Sequence, residues 1–277
     1  MSGRASTLLL GALATLAFLF MLAPLVVIAA SSFDGEASAF IRFPPQSLSL
    51  HWYGTIAGKY WSSLALSFAL GICAASLSTT IGTLAALGIV RGRSAGSSWL
   101  MTWFSVPLQI PFVVTGVVFL QFYNVVADAT GLDLVGRLPG LVLAHTFFCI
   151  PYAVGSVASI VTADLDRIEN AARIAGATEW RVFRRITLPA LNPGLFSGFF
   201  FAFIVSFGDV PVSVFLASGG TAPLPVEIFQ TLQFDFDPTV LAVSTIVVAI
   251  SAAAILAVQR LTGLSLLAGA GSRPTKT

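Results

Sequence analysis

Long apolar runs separated by short polar breaks dominate the chain. Six of them reach the roughly 20 residues that a helix needs to cross a bilayer. They predict spans at Leu8–Ala30, Trp61–Val90, Leu100–Ala127, Leu138–Thr162, Pro193–Ala217 and Pro238–Gln259. The first follows Arg4, as a signal peptide would, but it outruns the roughly 7–15 apolar residues of such a segment and lacks a clear cleavage site. It is read as an uncleaved span. In the second span Ala74, Ser78, Gly82 and Ala86 recur every four residues, with Ala75, Thr79 and Thr83 alongside. Small residues at that spacing predict close helix packing within the membrane. Pro24, Pro107, Pro111, Pro151 and Pro211 lie in or near spans and predict kinked helices. Between the first two spans, residues 31–60 carry Phe43-Pro44-Pro45 and the aromatic group His51-Trp52-Tyr53. That group predicts an amphipathic helix on the membrane interface.

Charge orients this pattern. With the N-terminus inside, Arg4, Arg91, Arg93, Arg167, Arg173, Arg181, Arg184, Arg185, Arg260, Arg273 and Lys276 fall on the cytoplasmic side. Only Arg42, Lys59 and Arg137 fall outside, an eleven-to-three bias that satisfies the positive-inside rule. Most acids lean the other way: Asp34, Glu36, Asp128, Asp133, Glu227, Asp235 and Asp237 lie on outer segments. Both termini and a loop over residues 164–192 are therefore expected in the cytoplasm. Composition agrees: charged residues make up 9% of the 277, apolar ones 56%, and mean hydropathy is +0.91. A soluble domain carries about 25% charged residues. The net charge of +2 gives no reason to expect a nucleic-acid partner. Cys73 and Cys149 sit in apolar runs without paired spacing and read as small hydrophobes, neither a disulfide nor a metal site.

The 164–192 loop is the most highly charged stretch between spans. Asp164 or Asp166 suits a helix N-cap, Leu165, Ile168, Ala171, Ala172 and Ala175 form a small apolar face, and Gly176 is a stop signal. Thr178 suits the cap of a second helix, Glu179–Ile186, with Trp180, Phe183 and Ile186 on one side and Arg181, Arg184 and Arg185 on the other. Leu188-Pro189 is expected to end it. A short alanine-faced helix has little to bury alone, so it either inserts into a partner's groove or lies on the inner leaflet with its arginines toward anionic lipid.

Glu169-Asn170-Ala171-Ala172-Arg173-Ile174-Ala175-Gly176, followed by Ile186-Thr187-Leu188-Pro189, resembles the Glu-Ala-Ala loop of ABC importer permeases. Asn170 stands where that motif has its glutamate, with Glu169 just before it. Leu143-Ala144-His145-Thr146 with Ile150-Pro151-Tyr152, Ser206-Phe207-Gly208-Asp209-Val210-Pro211-Val212, and Leu224-Pro225-Val226-Glu227 resemble spermidine/putrescine-type permeases. So does Asp235-Phe236-Asp237-Pro238-Thr239-Val240 with Ala242-Val243-Ser244-Thr245. The resemblance implies an all-α polytopic inner-membrane protein, residues 1–277 forming one type I importer transmembrane domain of six helices. It implies two separate ATPase subunits, a second homologous permease and an extracytoplasmic solute-binding protein as partners, and no cofactor. It assigns Glu169, Asn170, Ala171, Ala172, Gly176, Leu188 and Pro189 to the ATPase-coupling loop. The cargo it implies is a small solute, a polyamine, with phosphonate, iron or thiamine as other solutes of the same class.

Asp209 is the acid that falls inside a predicted span, where an ionisable group marks a functional site. On a helix, Gly198, Ala202, Ser206, Asp209 and Ser213 share one face, a stripe that would line a path for a polycation. Near the helix end, beside Pro211, Asp209 would instead be solvated or paired with another helix. His145, alone in an apolar run, reads as a hydrogen-bonded packing residue. Enzyme chemistry is excluded by what is missing: Gly58-Lys59-Tyr60 lacks the rest of a phosphate-binding loop, and His51 and His145 cannot build a histidine-rich metal site. A gradient-driven transporter with inverted halves is disfavoured, since the first and last three predicted spans share no broken-helix pattern.

Overall fold

The computed structural model describes residues 2–36, 41–92, 96–218, 220–234 and 236–270, with backbone alone for 2–5, 163, 254–255 and 257–270. Arg93, Asp235, Arg273 and Lys276 of the charge pattern lie outside the described residues. Helices run α1 Ser2–Ser31, α2 His51–Gly54, α3 Gly58–Arg91, α4 Ser97–Ser105, α5 Phe112–Thr130 and α6 Leu138–Ala158. They continue with α7 Ala163–Ile174, α8 Glu179–Val182, α9 Leu188–Phe207, α10 Ser213–Leu216, α11 Leu224–Phe234 and α12 Thr239–Ala270. Among the described residues five stretches are long and apolar enough to cross a membrane, and a shorter apolar stretch, Thr239–Ala253, begins α12. The five are α1, α3, α5, α6 and Glu179–Phe207.

The chain divides into two compact units, residues 1–60 with 230–277, and residues 61–229. In the first, α1 packs on α12. Of the helix expected in 31–60, one turn forms, α2, on the aromatic group itself. The other described residues after Ser31 and before Gly58 form a loop closed by an antiparallel bridge between Asp34 and Leu48. Two of the segment's aromatics pin the loop through their polar atoms. Trp52 Nε1 donates to the Asp34 carbonyl at 2.6 Å, and Tyr53 Oη and Ser32 Oγ are 2.7 Å apart.

The second unit is built around α6, which packs along α9. Lipid tails are as apolar as leucine, so close approach rather than hydrophobic expulsion holds such helices. The small stripe of α3 supplies that approach: Ala74, Ser78 and Ala86 are fully buried. A Cβ on Gly82 would sit 2.6 Å from Ala153 Cβ of α6, and one on Gly198 of α9 3.1 Å from Ala153 Cα. Ala153 is thus clasped from both sides by glycines.

Two predicted spans are broken. Ile110, before Pro111, is pushed to extended backbone, which separates α4 and a 3-10 turn at Val106–Gln109 from α5. The predicted Pro193–Ala217 span begins earlier, at Leu188, and ends at Phe207. Gly208 and the pre-proline Val210 stop it, so Asp209 and Ser213 lie beyond the helix end rather than on its face.

Candidate functional site

Two sites of polar chemistry lie in the second unit, one at each end of α9. At its N-terminal end, α7 starts after Thr162, and no side chain makes a cap bond there. Asp164 and Asp166 occupy the first turn instead, where carboxylates favour the positive end of the helix. The stop at Gly176 is as the sequence predicts. Its φ of +86° lets the Gly176 N–H reach the Arg173 carbonyl at 2.9 Å and the Ala177 N–H reach Ala172 at 3.0 Å. Those two bonds make a Schellman turn.

The apolar face predicted for α7 is divided. Leu165 enters the core, Ala172 is half-buried, and Ile168, Ala171 and Ala175 stay exposed. Ile174 is 89% exposed and Trp180 68%, so the outer side of the loop presents bare apolar surface.

The inner side is held by Glu169, a buried carboxylate at 2% exposure. Its Oε1 accepts from Arg91 Nη2 at 2.6 Å and from Thr187 Oγ1 at 2.5 Å. Its Oε2 accepts from Arg173 Nη2 at 3.4 Å. Burying a charge is tolerated only with such pairing. Arg173 also grips Glu179 through Nε at 2.7 Å; this hydrogen bond raises the guanidinium pKa and holds the Glu179 carboxyl below its ordinary value. Asn170 points outward and accepts from Arg173 Nη1 at 2.9 Å. With Arg91, Asp166, Glu169 and Arg173 it lines an open polar groove.

Leu188-Pro189 does not end the preceding helix. Glu179–Phe207 is continuous, through a π-turn at Phe183–Thr187. Proline cannot donate to the ladder and its ring crowds the carbonyl four residues back, here Arg185. The widened turn just before it gives that carbonyl room.

At the far end of α9, roughly 30 Å along the helix, Asp209 is 4% exposed. Its Oδ2 accepts from the Ser213 N–H at 2.9 Å and Ser213 Oγ at 3.0 Å, and from the Val212 N–H at 3.2 Å. His145 of α6 bridges Ser206 and Ser213, with Nδ1 2.8 Å from one hydroxyl and Nε2 3.0 Å from the other. Since Ser213 Oγ gives its proton to Asp209, it accepts from Nε2–H, which leaves Nδ1 to accept from Ser206. Neutral imidazole protonated on Nε2 therefore satisfies the network. The structure brings Ser206, Asp209 and Ser213 together as the sequence suggested, but turned inward onto His145. Arg91 and Thr187, which sequence reasoning left aside, are residues that hold Glu169. The Glu169–Arg173 spacing of four residues was the available signal for a charged inner face.

Residues 78–264 match the family model described as binding-protein-dependent transport system inner membrane component. The chain is 33% identical over 236 residues to the putrescine transport system permease protein PotI of Escherichia coli K12, covering 84% of this chain and 83% of that one. It is 27% identical over 247 residues to the spermidine/putrescine permease protein PotC of Haemophilus influenzae, covering 88% and 93%. A Salmonella paratyphi A permease protein named for 2-aminoethylphosphonate transport, PhnV, is 29% identical over 230 residues, covering 82% and 83%. Among solved structures, a bacterial ABC transporter involved in import of the acidic polysaccharide alginate superposes with a TM-score of 0.70. That match covers 94% of this chain and 97% of the other at 14% identity, which establishes the shared fold.

Proposed function

The chain belongs to the binding-protein-dependent transport system inner membrane components, the permeases of ABC importers, and on that premise we propose that it carries a polyamine inward using ATP hydrolysed on separate subunits. The observation that carries the coupling half is the two-sided loop. Its inner side is anchored by Glu169, while Ile168, Ile174 and Trp180 stand bare on the outside. A helix fixed on one face, with bare isoleucines among the charged residues of the other, suits the groove of an ATPase subunit. Glu169, Asn170, Ala171, Ala172, Gly176, Leu188 and Pro189 make up the loop that docks and is moved. Two ATPase subunits, a second homologous permease and an extracytoplasmic binding protein complete the assembly, with residues 1–277 acting as one permease domain. The eleven-to-three bias of basic residues supports cytoplasmic termini.

Identity to the putrescine permease supports the cargo, as does the chemistry of Asp209. Among the described residues no lysine or arginine pairs with that carboxylate, so its charge is held by neutral donors and attracts a passing polycation. Ser206, Asp209 and Ser213 are proposed to set the potential of the path. The relative named for 2-aminoethylphosphonate supports a second reading, a zwitterion that shares the alkylammonium group.

The test is uptake by the purified complex in proteoliposomes against radiolabelled putrescine, spermidine and 2-aminoethylphosphonate. Saturable, ATP-dependent putrescine or spermidine uptake is expected. Uptake of the phosphonate alone overturns the polyamine reading and leaves the permease.

A further inference from the structure

Glu169 faces away from the surface on which a partner would dock, and what it touches defines its part. It is 2% exposed, whereas Asn170 beside it is exposed. Its three donors come from three places in the chain: Arg91 closes α3, Thr187 sits in the π-turn from which α9 starts, and Arg173 lies one turn on along α7. One carboxylate thus ties the coupling helix to the inner ends of two apolar helices at once. Leu165, one turn before it, enters the core with Ala86 of α3, Val154 and Val157 of α6, and Leu191 of α9. The anchor therefore joins a packed core at one end and an exposed loop at the other.

We propose that Glu169 is the positioning residue that converts displacement of α7 into movement of α3 and α9, and that it makes no contact with the ATPase. The proposal rests on the docking reading above. If it holds, breaking the anchor leaves the outer face free to bind the ATPase while the spans no longer follow. A side chain that only stabilised the fold would lose assembly and transport in proportion.

Arg91→Met, Glu169→Gln and the double variant separate these cases in the complex with its ATPase subunits. R91M strips a buried carboxylate of its closest cation and should lower the yield of intact complex. Adding E169Q removes the stranded charge, so yield should recover. Uptake per complex should stay down by about tenfold, within the range of ordinary coupling energies. A reporter free of the cargo question is ATP-dependent maleimide labelling of Gly208→Cys, exposed where α9 ends, with the native exposed Cys73 replaced by alanine. Its response to ATP should be lost in the double variant. Recovery of uptake and of the ATP response together with yield overturns the proposal, as does full uptake per complex in E169Q alone. Ile174→Asp, on the exposed outer face, tests the docking reading separately. If the ATPase still co-purifies with it, docking at this loop is wrong. If it is lost while the double variant transports normally, only the role of Glu169 is wrong.

Discussion

Two buried carboxylates sit at opposite ends of α9 and are stabilised by different means. Glu169 is held by two arginines and a threonine hydroxyl; Asp209 is held by two backbone N–H groups and a serine, with a neutral histidine behind it. The first arrangement balances charge with charge, so it depends on every member staying ionised and in place. The second satisfies a carboxylate with dipoles and leaves its charge uncancelled. The proposed roles match: the first arrangement suits a joint, the second a site that draws a cation.

The strongest way to break this contrast is Arg91→Met, which should cost about 2–3 kcal/mol: Glu169 loses its closest cation but keeps Arg173 and Thr187. A lower thermal midpoint and a reduced yield of the detergent-purified chain would report it. Gly176→Leu should follow. Nothing crowds a Cβ there, so the loss is confined to left-handed backbone strain, about 1–2 kcal/mol. Reduced co-purification of the ATPase, largely restored by Gly176→Asn, is the expected readout. Asp209→Asn sharpens the other side. An amide oxygen still accepts from Ser213 and Val212, so stability should fall by only about 1 kcal/mol. Polyamine uptake should drop several-fold while complex yield holds. Equal losses of both would make Asp209 a structural residue alone.

Smaller effects remain for the exposed face. Asn170→Glu, which restores the usual residue of the motif, should alter thermal stability by less than about 0.5 kcal/mol because the side chain is solvated. Failure of that variant to assemble with the ATPase would mean that the partner's groove has adapted to an amide. The smallest effect is one of pH. Glu179 has its carboxyl depressed by Arg173, so its contribution is complete at neutral pH and is lost only as acid protonates it below the ordinary glutamate range. Glu179→Gln should flatten that acid limb in a thermal-shift titration.

The helical class, the membrane placement of the long runs and the stop at Gly176 were legible because each depends on local chemistry: unbroken apolarity, or one residue that accepts positive φ. The packing of Ala74, Ser78, Gly82 and Ala86 was legible from spacing alone. Breaks were harder. Both failures of the span reading lie at prolines, at Pro111 and Pro211, where hydropathy stays high while the backbone turns. Pro189 misled in the opposite sense, since a π-turn absorbed it. The inner anchor was hidden for another reason. Arg91 and Glu169 are 78 residues apart, and no periodicity links positions joined only by the tertiary fold. In the outer loop, Trp52 and Tyr53 were read by their usual preference for interfaces, and the partners their polar tips found in the chain itself are tertiary contacts that no such preference foretells.

The π-turn at Phe183–Thr187 also sets phase. One residue beyond an α-helical ladder rotates everything before it by about 100° about the axis. Trp180 and Arg181 of α8 therefore do not point where an unbroken helix ending at Phe207 would aim them. The nine residues between Gly176 and Ile186 measure an angle as well as a length. A single-residue deletion in that stretch would shorten the stalk by little more than an ångström yet swing the docking face to another side. Homologous loops should therefore tolerate changes of residue there far better than changes of count.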